Sequence, residues 1–487
     1  MKIVFVSSEV TPYAKTGGLA DVAGALPKAI AEHGHEVAVF MPYYSQVRKS
    51  GCSIEDTGVS VQVPIMERFA GGHFFKSTFP DSYVPIYLLE NHHYYSRDGI
   101  YGSTSDYPDN VERYTFFCRG VLEFCWKMGF IPDIIHCNDW QTALIPLYLK
   151  SLYKPWLIFR NTGSVLTIHN LAYQGRFWKE DLKLTGLSWD YFHVGCLEYF
   201  DSLNLLKGGI TSADFLTTVS PNYANEIQTS NGGFDLDGLI RGRSDRLSGI
   251  VNGVDYQVWN PDKDPLLPAN YTQTNLQGKK SCKQYIQKLY GMRIDDNLPI
   301  VTLVSRLTGQ KGINLIVQAI EYFLSQNMCQ LLVLGSGEAQ FSDFFRYLNN
   351  KYPDLCHAEI GFTNEELAHK YIAAGDLFLM PSAYEPCGLT QLYSLKYGTV
   401  PLVRATGGLL DTIIPVTREN LAANKATGFM FEEYSGRAFG ECLDIALKFY
   451  NHKEAWKNLQ MNGMIQDWSW KRSAREYINA YNYISAF

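Results

Sequence analysis

Two segments of the chain repeat an alternation of strands and helices, and this repetition constrains the fold more than any other feature. The first segment begins with residues 3–6, IVFV, which are continuously apolar, as expected for a parallel strand covered on both faces. A Gly-rich turn, a helical pattern over residues 19–33 and a second strand over residues 36–40 follow. This order predicts a βαβ unit, with Pro27 expected to bend or interrupt the helix.

The second segment starts near residue 299 and follows the same order. It predicts strands at residues 299–307, 330–338, 377–382 and 401–408, and helices at 313–324, 365–374 and 389–397. Two such runs predict an α/β chain with two doubly wound, Rossmann-like domains, over residues 1–253 and 254–469. A stretch rich in Asn, Asp and Pro, residues 252–270, is expected to be the hinge between them. A C-terminal helix at about 470–487 can pack back on the first domain.

Composition and charge exclude several classes of protein. The chain has 487 residues, 46% of them hydrophobic and 19% charged, so it can bury more than one core. A net charge of −6 argues against binding to nucleic acid. The apolar run at the N-terminus is too short for a signal peptide or a membrane span, and the ten cysteines form no C-x-x-C pair. A cytoplasmic protein is therefore expected; the plastid stroma stays open if a transit peptide has been removed.

A short motif occurs once in each predicted domain. Residues 15–19 read KTGGL and residues 405–409 read ATGGL, and in both places an Asp follows two residues later. Because both lie at strand-to-helix turns, the pattern predicts two cradles of backbone N–H groups that face one cleft.

Two cations and a carboxylate in the second domain fit the chemistry of a sugar diphosphate. Arg306 and Lys311 flank one strand-to-helix turn, where they can neutralise an anionic leaving group, although solvated surface charges are the common alternative. Glu385 leaves a predicted strand just before Gly388 and a helix, so its carboxylate can hold sugar hydroxyls while helix N–H groups hold the diphosphate. An acidic loop residue before a capped helix, with Cys387 as a small buried filler, is the alternative.

Five segments of the chain together resemble the bacterial glycogen synthase and plant starch synthase family. They are residues 15–30 (KTGGLADVAGALPKAI), 167–175 (TIHNLAYQG), 243–255 (RSDRLSGIVNGVD), 305–312 (SRLTGQKG) and 385–412, which starts EPCGLTQLY. The resemblance runs over nearly the whole chain. It implies a GT-B fold with an interdomain cleft. It also implies transfer of glucose from ADP-glucose to the non-reducing end of an α-1,4-glucan with retention of configuration, and no cofactor or metal. The bacterial-type motifs favour ADP-glucose, with UDP-glucose as the alternative donor.

The resemblance also implies site residues at the matching positions. The implied catalytic residues are Glu385, His169, Lys15 and Asp139. The implied donor-binding residues are Lys15, Gly18, Asp21, Asn252, Arg306, Lys311, Phe362, Cys387, Gly388, Leu389 and Thr390. The chain departs from common family patterns at Cys137 and Gln141, where many members have histidines on the acceptor side, and at Phe362, where many have an adenine-stacking Tyr. Tyr393 stands where other retaining GT-B enzymes carry a second Glu.

The implied mechanism is front-face substitution, in which the departing phosphate helps to deprotonate the acceptor hydroxyl. Asp235 and Asp237 resemble a metal-binding D-x-D, but they lie in a segment that matches the family, so no metal is expected. Three other functions are alternatives: a transferase with another acceptor, such as a sucrose or trehalose synthase relative; a catalytically silent glucan-binding scaffold; and a dehydrogenase, which neither half supports because G-x-G-x-x-G does not follow its first strand.

Overall fold

The computed structural model describes residues 1–103, 105–361 and 364–485. The chain forms two compact units. Unit 1 comprises Met1–Gly253 together with the C-terminal segment from Trp470, and unit 2 comprises Val254–Ser469. No helix among the described residues is both long and apolar enough to cross a bilayer.

Unit 1 is built on a mixed sheet that is parallel except for one strand. Its strands are β1 (Lys2–Val6), β2 (Glu36–Pro42), β3 (Glu55–Ile65), β4 (Arg68–Thr78), β5 (Pro85–Glu90), β6 (Ile134–Asn138), β7 (Gly163–Ile168), β11 (Phe215–Thr218) and β12 (Leu247–Gly249). Their order is β12-β11-β7-β6-β1-β2-β5-β4-β3, and β4 runs antiparallel to both neighbours. A small antiparallel sheet contains β8 (Arg176–Trp178), β9 (Glu198–Tyr199) and β10 (Ser202–Asn204).

The helices of unit 1 are α1 (Gly18–Glu32), α2 (His92–Tyr95), α3 (Asn110–Met128), α4 (Leu144–Lys150), α5 (Leu182–Thr185), α6 (Leu205–Ser212), α7 (Pro221–Glu226), α8 (Asp237–Arg241) and the C-terminal α18 (Trp470–Ser485). Helix α1 continues through the buried Pro27, so the predicted interruption there is wrong. Burial of its apolar face, including Leu26 and Ile30, offsets the cost of a Pro inside a helix, about 3 kcal/mol.

Helix α18 packs against α1 and β7 of unit 1. Its Tyr481 hydroxyl lies 2.7 Å from Nδ1 of the buried His136 on β6, whose Nε2 lies 2.6 Å from Oγ1 of Thr167. Burial lowers the pKa of His136 to about 3, so this ring is neutral and links two strands to the last helix.

Unit 2 is built on an entirely parallel sheet. Its strands are β13 (Ile300–Val304), β14 (Gln330–Gly335), β15 (Cys356–Ile360), β16 (Leu377–Met380), β17 (Val400–Arg404) and β18 (Phe429–Phe431), in the order β15-β14-β13-β16-β17-β18. Its helices are α9 (Gln277–Leu289), α10 (Ile313–Ser325), α11 (Ala339–Lys351), α12 (Glu365–Ala374), α13 (Thr390–Lys396), α14 (Gly408–Thr412), α15 (Arg418–Ala422), α16 (Gly436–Phe449) and α17 (Lys453–Met464). The two doubly wound sheets confirm the predicted fold class.

The stretch expected to be a hinge belongs largely to unit 2. The Asp264 carboxylate Oδ2 accepts hydrogen bonds from Nδ1 of His369 and from the Tyr397 hydroxyl, each at 2.7 Å. The Trp259 ring stacks on His369, with ring centroids 3.7 Å apart. A hinge over the whole of residues 252–270 is therefore wrong, because buried polar and aromatic contacts fix residues 254–270 to unit 2.

Candidate active site

In both units several predicted site residues follow strands at, or next to, the point where the strand order reverses. In unit 1 the order reverses between β1 and β6, and in unit 2 between β13 and β16. In open parallel sheets, ligands bind outside the carboxyl ends of strands at such a switch point. The loops after β1, β6 and β7 carry Lys15, Asp139 and His169, and the loops after β13 and β16 carry Arg306, Lys311 and Glu385.

Lys15 lies on an exposed loop, residues 15–17, that leads into α1. Its ammonium Nζ is 2.6 Å from Oδ1 of Asp21, which lies in the first turn of α1, and Gly18 is the first residue of that helix. Surface ion pairs contribute little free energy. An anionic ligand near the helix N-terminus can therefore displace the Asp21 carboxylate from the Lys15 ammonium at a small cost in free energy.

Sequence reasoning missed Glu9, which follows β1 and is 3% exposed. Its carboxylate Oε2 accepts hydrogen bonds from the backbone N–H groups of Thr16, at 2.5 Å, and Gly17, at 3.1 Å. The predicted N–H cradle at residues 15–19 is thus wrong for these two donors, because they bind a side chain of the protein. The available signal was an acidic residue at the carboxyl end of the first strand, a position that favours function.

Asp139 directly follows β6 and has an unusual backbone conformation, with φ of 55°. Its Oδ1 accepts a hydrogen bond from the backbone N–H of His169 at 2.7 Å. Withdrawal of the carboxyl from water raises its pKa to about 7, with a smaller rise from the charge of Glu9, while hydrogen bonds from the His169 and Asn170 backbones oppose the rise. Asp139 can therefore exchange a proton near neutral pH.

The tautomer of His169 follows from the hydrogen bonds around it. The Asn138 amide Nδ2 donates to the Val6 carbonyl at 3.0 Å, which turns Oδ1 of Asn138 toward Nε2 of His169, at 2.9 Å. His169 therefore donates from Nε2–H and keeps a lone pair on Nδ1. Burial lowers its pKa to about 3, so the ring is neutral and Nδ1 can accept a hydrogen bond from a sugar hydroxyl.

Two buried amide oxygens in unit 1 have no hydrogen-bond partner among the described residues. They are Oδ1 of Asn252 and Oε1 of Gln141. Native proteins rarely leave such groups unsatisfied, so each marks a position where a ligand or water can bind. Burial raises the pKa of the Cys137 thiol, on β6, well above its usual value, which excludes a thiolate at this position.

In unit 2, Lys311 and Glu385 form an ion pair that is largely shielded from solvent. Nζ of Lys311 lies 2.6 Å from Oε2 of Glu385, which also accepts a hydrogen bond from Oγ of Ser382 at 3.1 Å. Arg306 is exposed, and its Nη2 donates to Oε1 of Gln310 at 3.3 Å. The structure thus pairs Lys311 with the predicted sugar-binding carboxylate and leaves the Arg306 guanidinium accessible to a ligand.

The loop after Glu385 depends on a glycine at position 388. Gly388 has φ of 75°, and a Cβ there would lie 2.3 Å from Oε1 of Gln391. Cys387 is buried, Leu389 precedes α13, and Thr390 is its first residue, with Oγ1 3.6 Å from the Met380 sulfur. The predicted residues of this loop therefore lie together at the carboxyl end of β16.

The second T-G-G-L turn donates hydrogen bonds to the backbone of the Glu385 loop. The Gly408 N–H donates to the carbonyls of Glu385 and Pro386, at 3.1 and 3.2 Å. Gly407 has φ of 46°, and a Cβ there would lie 1.9 Å from the Glu385 carbonyl oxygen. The predicted cradle at residues 405–409 is wrong for Gly408, because this turn binds protein carbonyls.

The remaining predicted positions are Phe362, Tyr393, Asp235 and Asp237. Phe362 is outside the described residues. The Tyr393 ring stacks on Trp259, with centroids 4.0 Å apart and planes 4° apart. Asp235 accepts a hydrogen bond from Tyr199 at 3.2 Å, and Asp237 pairs with Arg241 at 2.6 Å. In the part of the chain that the structure describes, no group of three or more His, Cys, Asp or Glu is placed to hold a metal ion.

Known sequences match both units. Residues 2–242 match the family described as starch synthase catalytic domain, and residues 291–460 match glycosyl transferases group 1. The chain is 46% identical to a glycogen synthase of Geotalea uraniireducens over 99% of this chain and 98% of that protein. It is 42% identical to a glycogen synthase of Rhodopirellula baltica over 99% and 97%.

Solved structures agree with these matches. The catalytic domain of starch synthase IV from Arabidopsis thaliana, bound to ADP and acarbose, superposes with a TM-score of 0.90 at 30% identity over 100% of this chain and 99% of that one. A sucrose-phosphate synthase from Thermosynechococcus elongatus shares the fold, with a TM-score of 0.60 at 18% identity over 100% and 99%.

Proposed function

This chain belongs to the family of bacterial glycogen synthases and plant starch synthases, and on that premise we propose that it transfers glucose from ADP-glucose to an α-1,4-glucan. The sequence resemblance to this family is confirmed, and the chain is a hexosyltransferase with a GT-B fold. ADP in the starch synthase IV structure supports ADP-glucose as donor, and acarbose there supports a glucan as acceptor.

The observation that carries the proposal is the cluster at the carboxyl ends of β13 and β16. Arg306 offers an exposed guanidinium for the diphosphate. Next to that strand, the ion pair of Lys311 and Glu385 combines a cation for phosphate oxygens with a carboxylate that accepts hydrogen bonds from sugar hydroxyls. Transfer from a sugar nucleotide requires both groups, since the leaving group is an anion and the sugar must be oriented.

We propose transfer with retention by front-face substitution. The bond between the glucose anomeric carbon and the phosphate oxygen breaks, the acceptor hydroxyl oxygen bonds to the same face, and its proton passes to the departing phosphate. Arg306 and Lys311 stabilise the negative charge that develops on the diphosphate. Lys15 and the Gly18 N–H supply further positive charge, and Asn252 and the 387–390 loop complete donor binding.

The first unit supplies groups for the sugars. The neutral His169 accepts a hydrogen bond at Nδ1 from a donor hydroxyl, and Asp139, whose pKa is about 7, carries a proton beside the acceptor. No protein nucleophile is needed, so positioning and electrostatics lower the barrier. We propose that the reaction needs no metal and no cofactor, and that the protein is cytoplasmic. None of the ten cysteines, each of which the structure describes, forms a disulfide, which supports a reducing compartment.

The test is glucose transfer by the purified chain. We expect incorporation of labelled glucose from ADP-glucose into glycogen, with a higher kcat/KM than from UDP-glucose, and products whose new linkages are α-1,4 by proton NMR. Glu385→Ala, measured in parallel, is the control for a contaminating activity. Absence of transfer from either donor by folded protein, or a β-linked product, would contradict the proposal.

A further inference from the structure

We infer that Glu9 is a positioning residue that fixes the Lys15 loop for donor binding without touching the substrate itself. The inference rests on the proposed function only through the role of Lys15. It concerns a residue that the sequence motifs did not single out, and it follows from where four hydrogen-bond donors converge.

The Glu9 carboxylate is saturated by the protein. Oε2 accepts from the backbone N–H groups of Thr16 and Gly17, at 2.5 and 3.1 Å. Oε1 accepts from Oγ1 of Thr16, at 2.6 Å, and from the Tyr101 hydroxyl. A carboxylate has about four acceptor positions, and Glu9 is 3% exposed. A sugar hydroxyl could bind Glu9 only by displacing one of these donors, so a direct catalytic contact is disfavoured.

Glu9 is itself held firmly at the end of β1. The Ser7 hydroxyl donates to the Glu9 carbonyl at 2.7 Å, and the Ser7 N–H donates to the Phe40 carbonyl of the adjacent β2 at 3.0 Å. The Glu9 carboxylate also accepts from the N–H of Gly17, the N-cap residue of α1, where a carboxylate is stabilised by the helix dipole. The Glu9 side chain therefore fixes the loop relative to β1.

The loop is also anchored just before Lys15, where the Ala14 N–H donates to the Val10 carbonyl at 3.0 Å and the Val10 N–H donates to the Ala14 carbonyl at 3.1 Å. The side chain of Gly17 is only a hydrogen atom, and α1 has no side-chain N-cap at this position. Lys15 is attached to Asp21 by a half-exposed ion pair. Glu9 therefore fixes the backbone at Thr16 and Gly17, so that Lys15 is held between this contact and the Ala14 anchor. It also occupies the N–H groups of Thr16 and Gly17, which leaves the Lys15 ammonium and the Gly18 N–H for the donor phosphates.

Two substitutions separate positioning from catalysis. In Glu9→Gln the amide oxygen can accept from the two N–H groups while its NH₂ donates to the two hydroxyl oxygens, so the geometry survives without the charge. In Glu9→Ala all four contacts are lost. Asp214→Ala is the matched control: Asp214 accepts from the Ser164 N–H and hydroxyl and pairs with Lys150, but it precedes β11, at the opposite edge of the sheet.

The experiment compares hydrogen exchange of a peptide covering residues 12–20 with kcat and KM for ADP-glucose. For Glu9→Ala we expect lost protection in this peptide and a fall in kcat/KM of about a hundredfold, the effect of a misplaced group near the reacting centre. Glu9→Gln should keep the protection and most of the activity, within about tenfold. Asp214→Ala should unfold at lower urea concentration with kcat/KM nearly unchanged.

Whether Glu9 positions the loop or contacts the substrate is decided by comparing the hydrogen-exchange protection of the loop with turnover in each variant. If Glu9→Gln keeps the loop protected but is as inactive as Glu9→Ala, the carboxylate acts on the substrate and the inference is overturned. Retention of full kcat/KM by Glu9→Ala also overturns it. Should Glu9→Ala not fold, the Gln variant alone still distinguishes the two roles. Absence of glucose transfer by the wild-type chain would defeat the proposed function, while the exchange data would still test the loop contact.

Discussion

The Lys311 ammonium lies 2.6 Å from the Glu385 carboxylate, with 18% and 8% of their side chains exposed. Because neither charge is well hydrated at this exposure, each is stabilised mainly by the other in the absence of ligand. The same two charges are the ones proposed to meet the sugar diphosphate, which links the stability of this region to its chemistry.

Removal of one member of this pair should therefore destabilise unit 2. For Lys311→Ala and for Glu385→Ala we expect the free energy of unfolding to fall by about 3 kcal/mol each, because the remaining charge has no partner. The double variant should lose clearly less than the sum of the two. Urea unfolding measures this, and strictly additive losses would mean that the pair contributes no coupling.

Arg306→Ala should reduce catalysis with little effect on stability. The guanidinium is exposed, and among the residues that the structure describes it donates to the Gln310 side chain at 3.3 Å. We expect kcat/KM for ADP-glucose to fall about a hundredfold or more, equivalent to about 2–4 kcal/mol of transition-state stabilisation. Arg346→Ala, which removes another exposed Arg of unit 2, is the control. A loss below about tenfold would show that Arg306 does not hold the leaving group.

Asp139 should make stability depend on pH. Its pKa is about 7 in the folded protein and 3.8 ordinarily, so between these values the folded state keeps a proton that the unfolded state releases. The contribution of Asp139 to the free energy of unfolding is present in full below pH 3.8. It is lost as the pH rises to 7. Asp139→Asn removes this titration and keeps Oδ1 for the His169 N–H.

The free energy of unfolding of Asp139→Asn, relative to wild type, should therefore increase by on the order of 3 kcal/mol between pH 4.5 and pH 8. Parallel urea titrations at four pH values measure the difference, in which other titrating groups largely cancel. A difference that does not change with pH would show that Asp139 ionises normally.

Glucose transfer should persist in excess EDTA. Asp235 and Asp237 have separate protein partners, Tyr199 and Arg241, and the proposed charge stabilisation comes from Arg and Lys side chains. Rates before and after chelation, with added Mg²⁺ or Mn²⁺ as the control, provide the measurement. Activity that EDTA abolishes and one of these ions specifically restores would contradict a metal-free mechanism.

The sequence predicted the parallel sheets because buried parallel strands are continuous apolar runs, as in residues 3–6 and 331–334. Segments whose structure depends on contacts distant in the sequence were not predictable. Residues 254–270 are polar and rich in Pro, yet Asp264 is fixed by His369 and Tyr397 from later elements. Pro27 likewise violates a local rule that packing of α1 overrides.

The same limit applies to the site. Its positions can be inferred from residues at strand ends, such as His169 and Glu385, because strand ends meet at one edge of a sheet. The direction of each hydrogen bond cannot be inferred. The T-G-G-L turns show this, since their N–H groups bind Glu9 in one unit and the Glu385 carbonyl in the other. A motif identifies a turn, whereas its partners depend on tertiary structure.

Helix α18 has a consequence for the order in which the chain acquires its structure. The hydroxyl of Tyr481 reaches His136 across 345 positions of sequence, and all of unit 2 lies between these two residues. During synthesis from the N-terminus, every residue of unit 2 leaves the ribosome before α18 does. The last packing surface of unit 1, on α1 and β7, therefore stays open until the second unit has been made. Contacts of such long range also slow folding, so unit 2 should reach its native state first.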